Sequence, residues 1–215
     1  MRSGTIKLIL FFTLVLVAIV TCIDPIYPDQ LVLQQLGTLV IMLPLLLDLK
    51  RDRISLFAFI CFSLFVLIHL VGARWIYSCV PYEDWLHNVF GIDLHTGVGT
   101  GRNQYDRFVH LSFGILLFPY LFESIEKRIR RITLSVLFAW SVIQAISLFY
   151  ESFEWMLTTI VSSEAATNYN GQQGDQWDAQ KDMTLAMLGS SAMALIYFIR
   201  GKLAGVGRNA AQELK

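Results

Sequence analysis

Six residues carry the chemistry this sequence offers: Asp106, His110, Glu151, Glu154, Asp178 and Asp182. Asp106 and His110 stand four apart, so a helix puts them on one face, with Gly114 below. Glu151 and Glu154 end a polar stripe that begins at Gln144 and Ser147. Asp175, Asp178 and Asp182 occupy i, i+3 and i+7, and their face continues as the small residues Ala186, Ser190 and Ala194. Such small-residue faces let membrane helices pack closely. Carboxylates joined by an imidazole are a ligand set for a divalent ion such as Mn, Fe, Zn or Mg. A bound ion would serve a hydrolytic or transfer reaction as a Lewis acid or by activating water. The same groups, titrating in turn, are the parts of a transporter or a proton-coupled permeation path. A structural or partner-binding subunit needs them only as a salt-bridge network.

Helix dipoles separate these acids. Asp106, Asp175 and Asp178 fall in a first helical turn, where the dipole favours an acid and a cap can use it. Asp182 lies further in, and Glu151 and Glu154 approach a helix C-terminus, where the dipole opposes them. A lone charge at mid-membrane costs ~2.5–3.5 kcal/mol on insertion scales. A cation, a proton, or Arg74, Arg107 and Lys181 must offset it.

The elements that hold these residues are membrane spans. The chain of 215 residues is 55% hydrophobic and only 16% charged. A soluble domain of this length could not hide so much apolar surface, so the fold class is all-α and polytopic. Six spans are expected, at about 6–22, 31–47, 54–73, 105–122, 132–161 and 182–199, forming one membrane domain over 1–215. Thr21-Cys22-Ile23 is a poor cleavage site, so the first segment reads as an uncleaved span. The fifth exceeds the ~30 Å hydrocarbon core, so it tilts or protrudes. The net charge is +0, without the basic footprint of a nucleic-acid partner. The expected partners are the bilayer and a small-molecule or lipid substrate.

Basic residues set the orientation. Arg2, Lys7, Lys50, Arg51, Arg53, the Lys127–Arg131 cluster and the tail lie on one side, against Arg74, Arg102, Arg107 and Lys181 on the other. The positive-inside rule then puts both termini in the cytoplasm. Counted from each span's cytoplasmic charge, His69, His110, Glu151 and Asp182 lie about 24–30 Å in, at one level near the outer leaflet. His69 reads as a hydrogen-bonded packing residue, and His87 and His95 as solvated loop residues. Cys22 and Cys79 lie near the same face; free thiols are favoured over a bridge. Gly97-Val98-Gly99-Thr100-Gly101 resembles a phosphate cradle but lacks the strand, helix and Lys context, so it reads as a loop able to serve as a lid. Ser112 is two residues from His110 and points elsewhere on a helix.

Three blocks carry a resemblance: Asn103-Gln104-Tyr105-Asp106-Arg107-Phe108-Val109-His110, Tyr150-Glu151-Ser152-Phe153-Glu154-Trp155, and Gly174 through Met183. Together they resemble the YjdF-type bacterial inner-membrane proteins. The resemblance implies a small multi-pass protein of the inner membrane and brings no reaction with it. More distantly, the Asp-x-x-x-His helix, the Glu helix and the Asp-then-Gly helix are similar to the VanZ-like proteins linked to glycopeptide tolerance.

The orientation is open to direct test. A green fluorescent protein fused after Lys215 is expected to fluoresce in cells, and an alkaline phosphatase fused near Arg102 to be active. The reverse pattern would invert the assigned topology.

Overall fold

The computed structural model describes residues 2–92, 101–160 and 172–213. Among them are seven helices: α1 Ser3–Thr21, α2 Pro28–Arg51, α3 Leu56–Arg74, α4 Tyr82–Phe90, α5 Tyr105–Ile129, α6 Ile132–Ile160 and α7 Asp178–Glu213. All but the short α4 are long and apolar enough to cross a membrane. His95 and the stretch Gly97–Thr100 lie outside the described residues.

The spans form two groups of three, α1-α2-α3 and α5-α6-α7, joined where α3 packs on α5. Large apolar side chains such as Phe12, Val40 and Phe149 stay exposed on the outside, where lipid tails would cover them. The core between the groups holds Phe59, Phe62, Phe65 and Val66 of α3 against Val109, Phe113, Leu117 and Phe118 of α5.

Several helices outrun their hydrophobic stretches. Asp48–Arg53 reads as a connecting loop in the sequence, yet α2 is helical through Arg51 before Asp52 turns left-handed. Likewise α5 runs through the basic cluster to Ile129 and stops at left-handed Arg130. Hydropathy marks where lipid begins, whereas i→i−4 hydrogen bonding continues into the headgroup layer. The polar connection after α3 also contains α4, whose Glu83 and Asp84 sit in the first turn, where the dipole favours acids.

The tightest helix contact is α5 against α7. A Cβ on Gly114 would overlap the Ala186 carbonyl oxygen and lie 2.8 Å from the Ser190 amide nitrogen. A Cβ on Gly189 would come within 2.6 Å of the Leu111 carbonyl oxygen. The two backbones therefore touch, with Ala186 and Ser190 fully buried between them. α6 closes the group along Ser135, Ala139, Ile143, Ser147 and Glu151, a stripe of four-residue steps. Gln144 of α6 donates to the Ser190 hydroxyl at 2.8 Å.

A buried lysine ties the first group at its basic end. The Lys7 ammonium meets Asp48 at 2.7 Å and Asp52 at 2.8 Å, and also donates to the Ile54 carbonyl. The second Asp48 oxygen accepts the Arg53 and Ile54 amides. Sequence reading placed Lys7 and Asp48 only as flanking charges.

Replacing Gly114 with Leu should force α5 and α7 apart and cost at least ~1–3 kcal/mol. Gly37→Leu is the matched control, because no atom outside its own helix lies within 4 Å of a Cβ there. Thermal unfolding in detergent should separate the two; equal melting temperatures would contradict the close contact.

Candidate functional site

The α5–α7 contact carries the site. α5 starts at Tyr105 and α7 at Asp178, so close packing below Gly114 brings their first turns together. The preceding segments are stitched as well. The Asn103 amide donates to the Gln173 side-chain oxygen at 2.9 Å, and the Gln173 side chain donates back to the Asn103 carbonyl at 3.1 Å. Asn103 also reaches the Val80 carbonyl, and the Gln104 amide reaches the Tyr82 hydroxyl. The Tyr105 hydroxyl donates to the Ile68 carbonyl of α3. The first and third of the sequence blocks meet in space where Arg107 contacts Asp175 and Asp178, and Glu151 of the second joins them through His110.

Two layers of charge follow. The outer layer is an arginine clamp. Arg107 contacts Asp175 at 3.0 Å and Asp178 at 2.6 Å, and its Nε lies 3.3 Å from Asp182. Arg102 contacts the same Asp178 oxygen at 2.5 Å and donates to the Gln172 carbonyl. Lys181 contacts Asp175 at 2.6 Å. The Lys181 ammonium, and after it the Trp177 amide, hold the Asp175 carboxyl down at about 2. A depressed carboxyl stabilises above its unfolded value of about 3.9 and loses that contribution as pH falls through the folded value. Asp175 therefore stays ionised throughout pH 5–8.

The inner layer is different. Asp106, His110 and Asp182, all buried, each offer one ligand atom within 4.8 Å of the others. The His110 Nε2 lies 3.7 Å from Asp106 and 3.5 Å from Glu151. These separations are too long for hydrogen bonds. Two ligand atoms at ~2.1 Å from a tetrahedral ion sit about 3.4 Å apart, near the two His110 separations, whereas the Asp106, His110 and Asp182 atoms as a set are held only within 4.8 Å. Oε1 of Glu151 and Oδ1 of Asp182 are buried and accept no hydrogen bond. The Tyr150 ring packs beside His110, and its hydroxyl engages Glu154.

Each sequence-predicted residue now has a place. Asp106, His110 and Asp182 converge, with Glu151 against His110 and Glu154 further along α6. The Asp178 carboxylate, a member of the expected ligand set, faces the two guanidinium groups instead. Asp175 both accepts the Trp177 amide, as a cap does, and pairs with cations. His69 belongs elsewhere, hydrogen-bonded to Thr38 at 2.9 Å and to Tyr77. His87 is exposed. Arg74 donates to the Asp24 carbonyl and takes no part in the clamp. The three cysteines are free thiols. The missed residue is Arg102, which sequence reading counted only as a loop charge. Its signal was its place one residue before the Asn103 block.

Arg107 contacts three buried or half-buried carboxylates, so Arg107→Ala leaves them without their shared cation. Breaking a buried ion pair from one side typically costs ~3–5 kcal/mol. Denaturation in detergent at pH 8 should show a loss of that order. Adding Asp178→Asn to the same chain should recover part of it, and purely additive losses would contradict the coupling.

A family model described as "Predicted membrane protein (DUF2238)" matches residues 6–202. The inner membrane protein YjdF of Escherichia coli (strain K12) is 29% identical over 191 residues, which cover 87% of this chain and 85% of that relative. No solved structure matches. The chain belongs to the DUF2238 family of membrane proteins and, like its relative YjdF, is a protein of the inner membrane.

Proposed function

We propose that Asp106, His110 and Asp182, with Glu151 beside them, bind a divalent cation near the outer leaflet. The observation that carries this reading is the pair of buried carboxylate oxygens, on Glu151 and Asp182, that accept no hydrogen bond. Around them six carboxyls (Asp106, Glu151, Glu154, Asp175, Asp178, Asp182) stand against Arg102, Arg107 and Lys181. The clamp places those cations mainly on Asp175 and Asp178, and only the Arg107 Nε reaches an inner acid, Asp182, at 3.3 Å, so the inner acids still need protons or a metal. Their mixed oxygen and imidazole donors suit Mn, Fe, Zn or Mg. An ion held there would polarise an ester or phosphoryl oxygen, or supply a hydroxide at neutral pH.

The substrate class follows from how the site can be reached. A cleft of about 510 Å³ lies between α6 and α7, lined by Gln144, Ser147, Leu148, Met183, Thr184 and Met187. Ser147 is one turn from Glu151, and Met183 follows Asp182 directly. An acyl chain lying in this cleft would bring its headgroup to the acids. This favours a hydrolase or transferase that acts on a lipid or lipid-linked envelope substrate.

Metal analysis of the purified protein after loading with Mn, Zn or Mg should find about one ion per chain. Glu151→Gln and Asp182→Asn should each weaken binding at least tenfold, while Asp175→Asn should leave it nearly unchanged. No ion under any loading condition would end the proposal. The loaded protein in liposomes separates chemistry from transport. New lipid species support the catalytic reading, and dissipation of a gradient without chemical change supports permeation.

A further inference from the structure

The opposite end of the bundle holds a second cavity, of about 370 Å³, bounded by α2, α5 and the start of the α3 segment. It has the layout of a lipid. Its wall is Val40, Leu43, Pro44 and Leu47 on α2, and Val40, Leu43 and Leu47 are exposed on the bundle surface. Its rim carries Arg51 and Arg53 from one side and Lys127 and Arg128 from the other. Leu43 to Arg51 is eight residues of helix, roughly 12 Å, which spans an upper acyl chain and a phosphate.

The groove persists for structural reasons. α2 packs on α1 and α3, and α5 packs on the far side of α3, so the two flank a gap. The Tyr120 hydroxyl donates to the Pro44 carbonyl at 2.9 Å and sets the floor.

The rim charges are available, and Asp48, Asp52 and Glu123 are engaged. The guanidinium groups of Arg51 and Arg53 and the Lys127 ammonium make no ion pair among the described residues. Arg128 donates only to the Ser124 carbonyl of its own helix. Asp48, which also lines the cavity, faces Lys7 with one oxygen and two backbone amides with the other. Asp52 faces Lys7, and Glu123 accepts the Ser55 amide and hydroxyl. Four cations converging on a lipid-facing groove call for an anion that brings its own hydrocarbon. Basic pockets between membrane helices bind acidic headgroups in this way.

We propose that this groove is a binding site for an acidic phospholipid, its phosphodiester held by Arg51, Arg53, Lys127 and Arg128 and one acyl chain lying along Val40, Leu43 and Leu47. The site stands apart from the acidic cluster and does not depend on the metal reading.

The test is lipid retention by the full-length protein. Protein in phosphatidylcholine nanodiscs is titrated with phosphatidylglycerol, and binding is followed by native mass spectrometry and by the shift in melting temperature. The wild type should prefer phosphatidylglycerol. The Arg51→Gln, Lys127→Gln double variant should bind it roughly thirty-fold more weakly, from two headgroup-level cations lost. A second double variant, Arg200→Gln with Lys202→Gln, removes the same charge from α7 outside the groove and should bind nearly as the wild type does. Equal losses in the two variants would reduce the effect to general surface charge and overturn the site. A wild type without preference for the acidic lipid would do the same. Leu43→Trp fills the apolar wall and leaves every charge in place, so it should also displace the lipid. Stabilisation by inorganic phosphate equal to that by the lipid would overturn the acyl-chain half of the proposal. Melting temperatures in pure phosphatidylcholine show that each variant is folded before its binding is compared.

Discussion

Arg107 is the charge on which the acidic end depends. Its guanidinium touches Asp175, just before α7, and Asp178 and Asp182 on the first two turns of α7. At the edge of the hydrocarbon, solvation of these acids is poor, and ionised acids persist only beside cations. Arg107 sits one residue after Asp106 and three before His110, so the same helical turns supply the counter-ion and two of the convergent donors. Binding α7 through Arg107 therefore also sets the distance between Asp182 and the α5 donors. Arg102 reinforces the arrangement from outside the helix, on the Asp178 oxygen that Arg107 already holds.

The clamp works only because the helices can approach. Gly114 and Gly189 remove the side chains that would hold α5 and α7 apart, and Ala186 and Ser190 keep the seam narrow. In lipid, helices gain little from the hydrophobic effect against each other, so close packing and polar contacts supply the association. Backbone contact below and ion pairing above are thus coupled through rigid helices. α6 then adds Glu151 from the side, carried by a stripe that packs through Ser135, Ala139, Ile143 and Ser147.

Much of this was legible in the sequence, for identifiable reasons. The six spans follow from long apolar runs, which few other structures can accommodate. The face of Asp178, Asp182, Ala186 and Ser190 is legible because a helix stacks every fourth residue, and all four are buried. Glu151 is legible because an ionisable acid inside an apolar span needs an outside partner, and His110 lies beside it. The division of the acids into two layers was not legible. It depends on where Arg102 and Arg107 reach, and long side chains from a polar segment have no fixed period. Helix ends were misjudged because hydropathy falls before hydrogen bonding stops, as at Asp48–Arg51 and Glu126–Ile129. The Lys7–Asp48 pair was missed because both stand among flanking charges, where burial leaves no mark on composition.

The two ends of the molecule solve the same electrostatic problem differently. At the basic end Lys7 is buried with its full set of acceptors: two carboxylates and a carbonyl. That network is closed and needs nothing from outside, as a structural ion pair should be. At the acidic end the arginines hold Asp175 and Asp178 closely, but the Arg107 Nε, 3.3 Å from Asp182, is buried without a hydrogen bond, and the layer beneath is open too. Glu151 and Asp182 keep buried oxygens that accept no hydrogen bond, and His110 stands between two carboxylates at distances that make none. A network kept only for stability would gain from closing those gaps, because unsatisfied buried acceptors are costly. The contrast within one chain, between a satisfied buried lysine and unsatisfied buried acids, is the physical reason for treating the inner layer as a place for an added cation rather than as part of the scaffold.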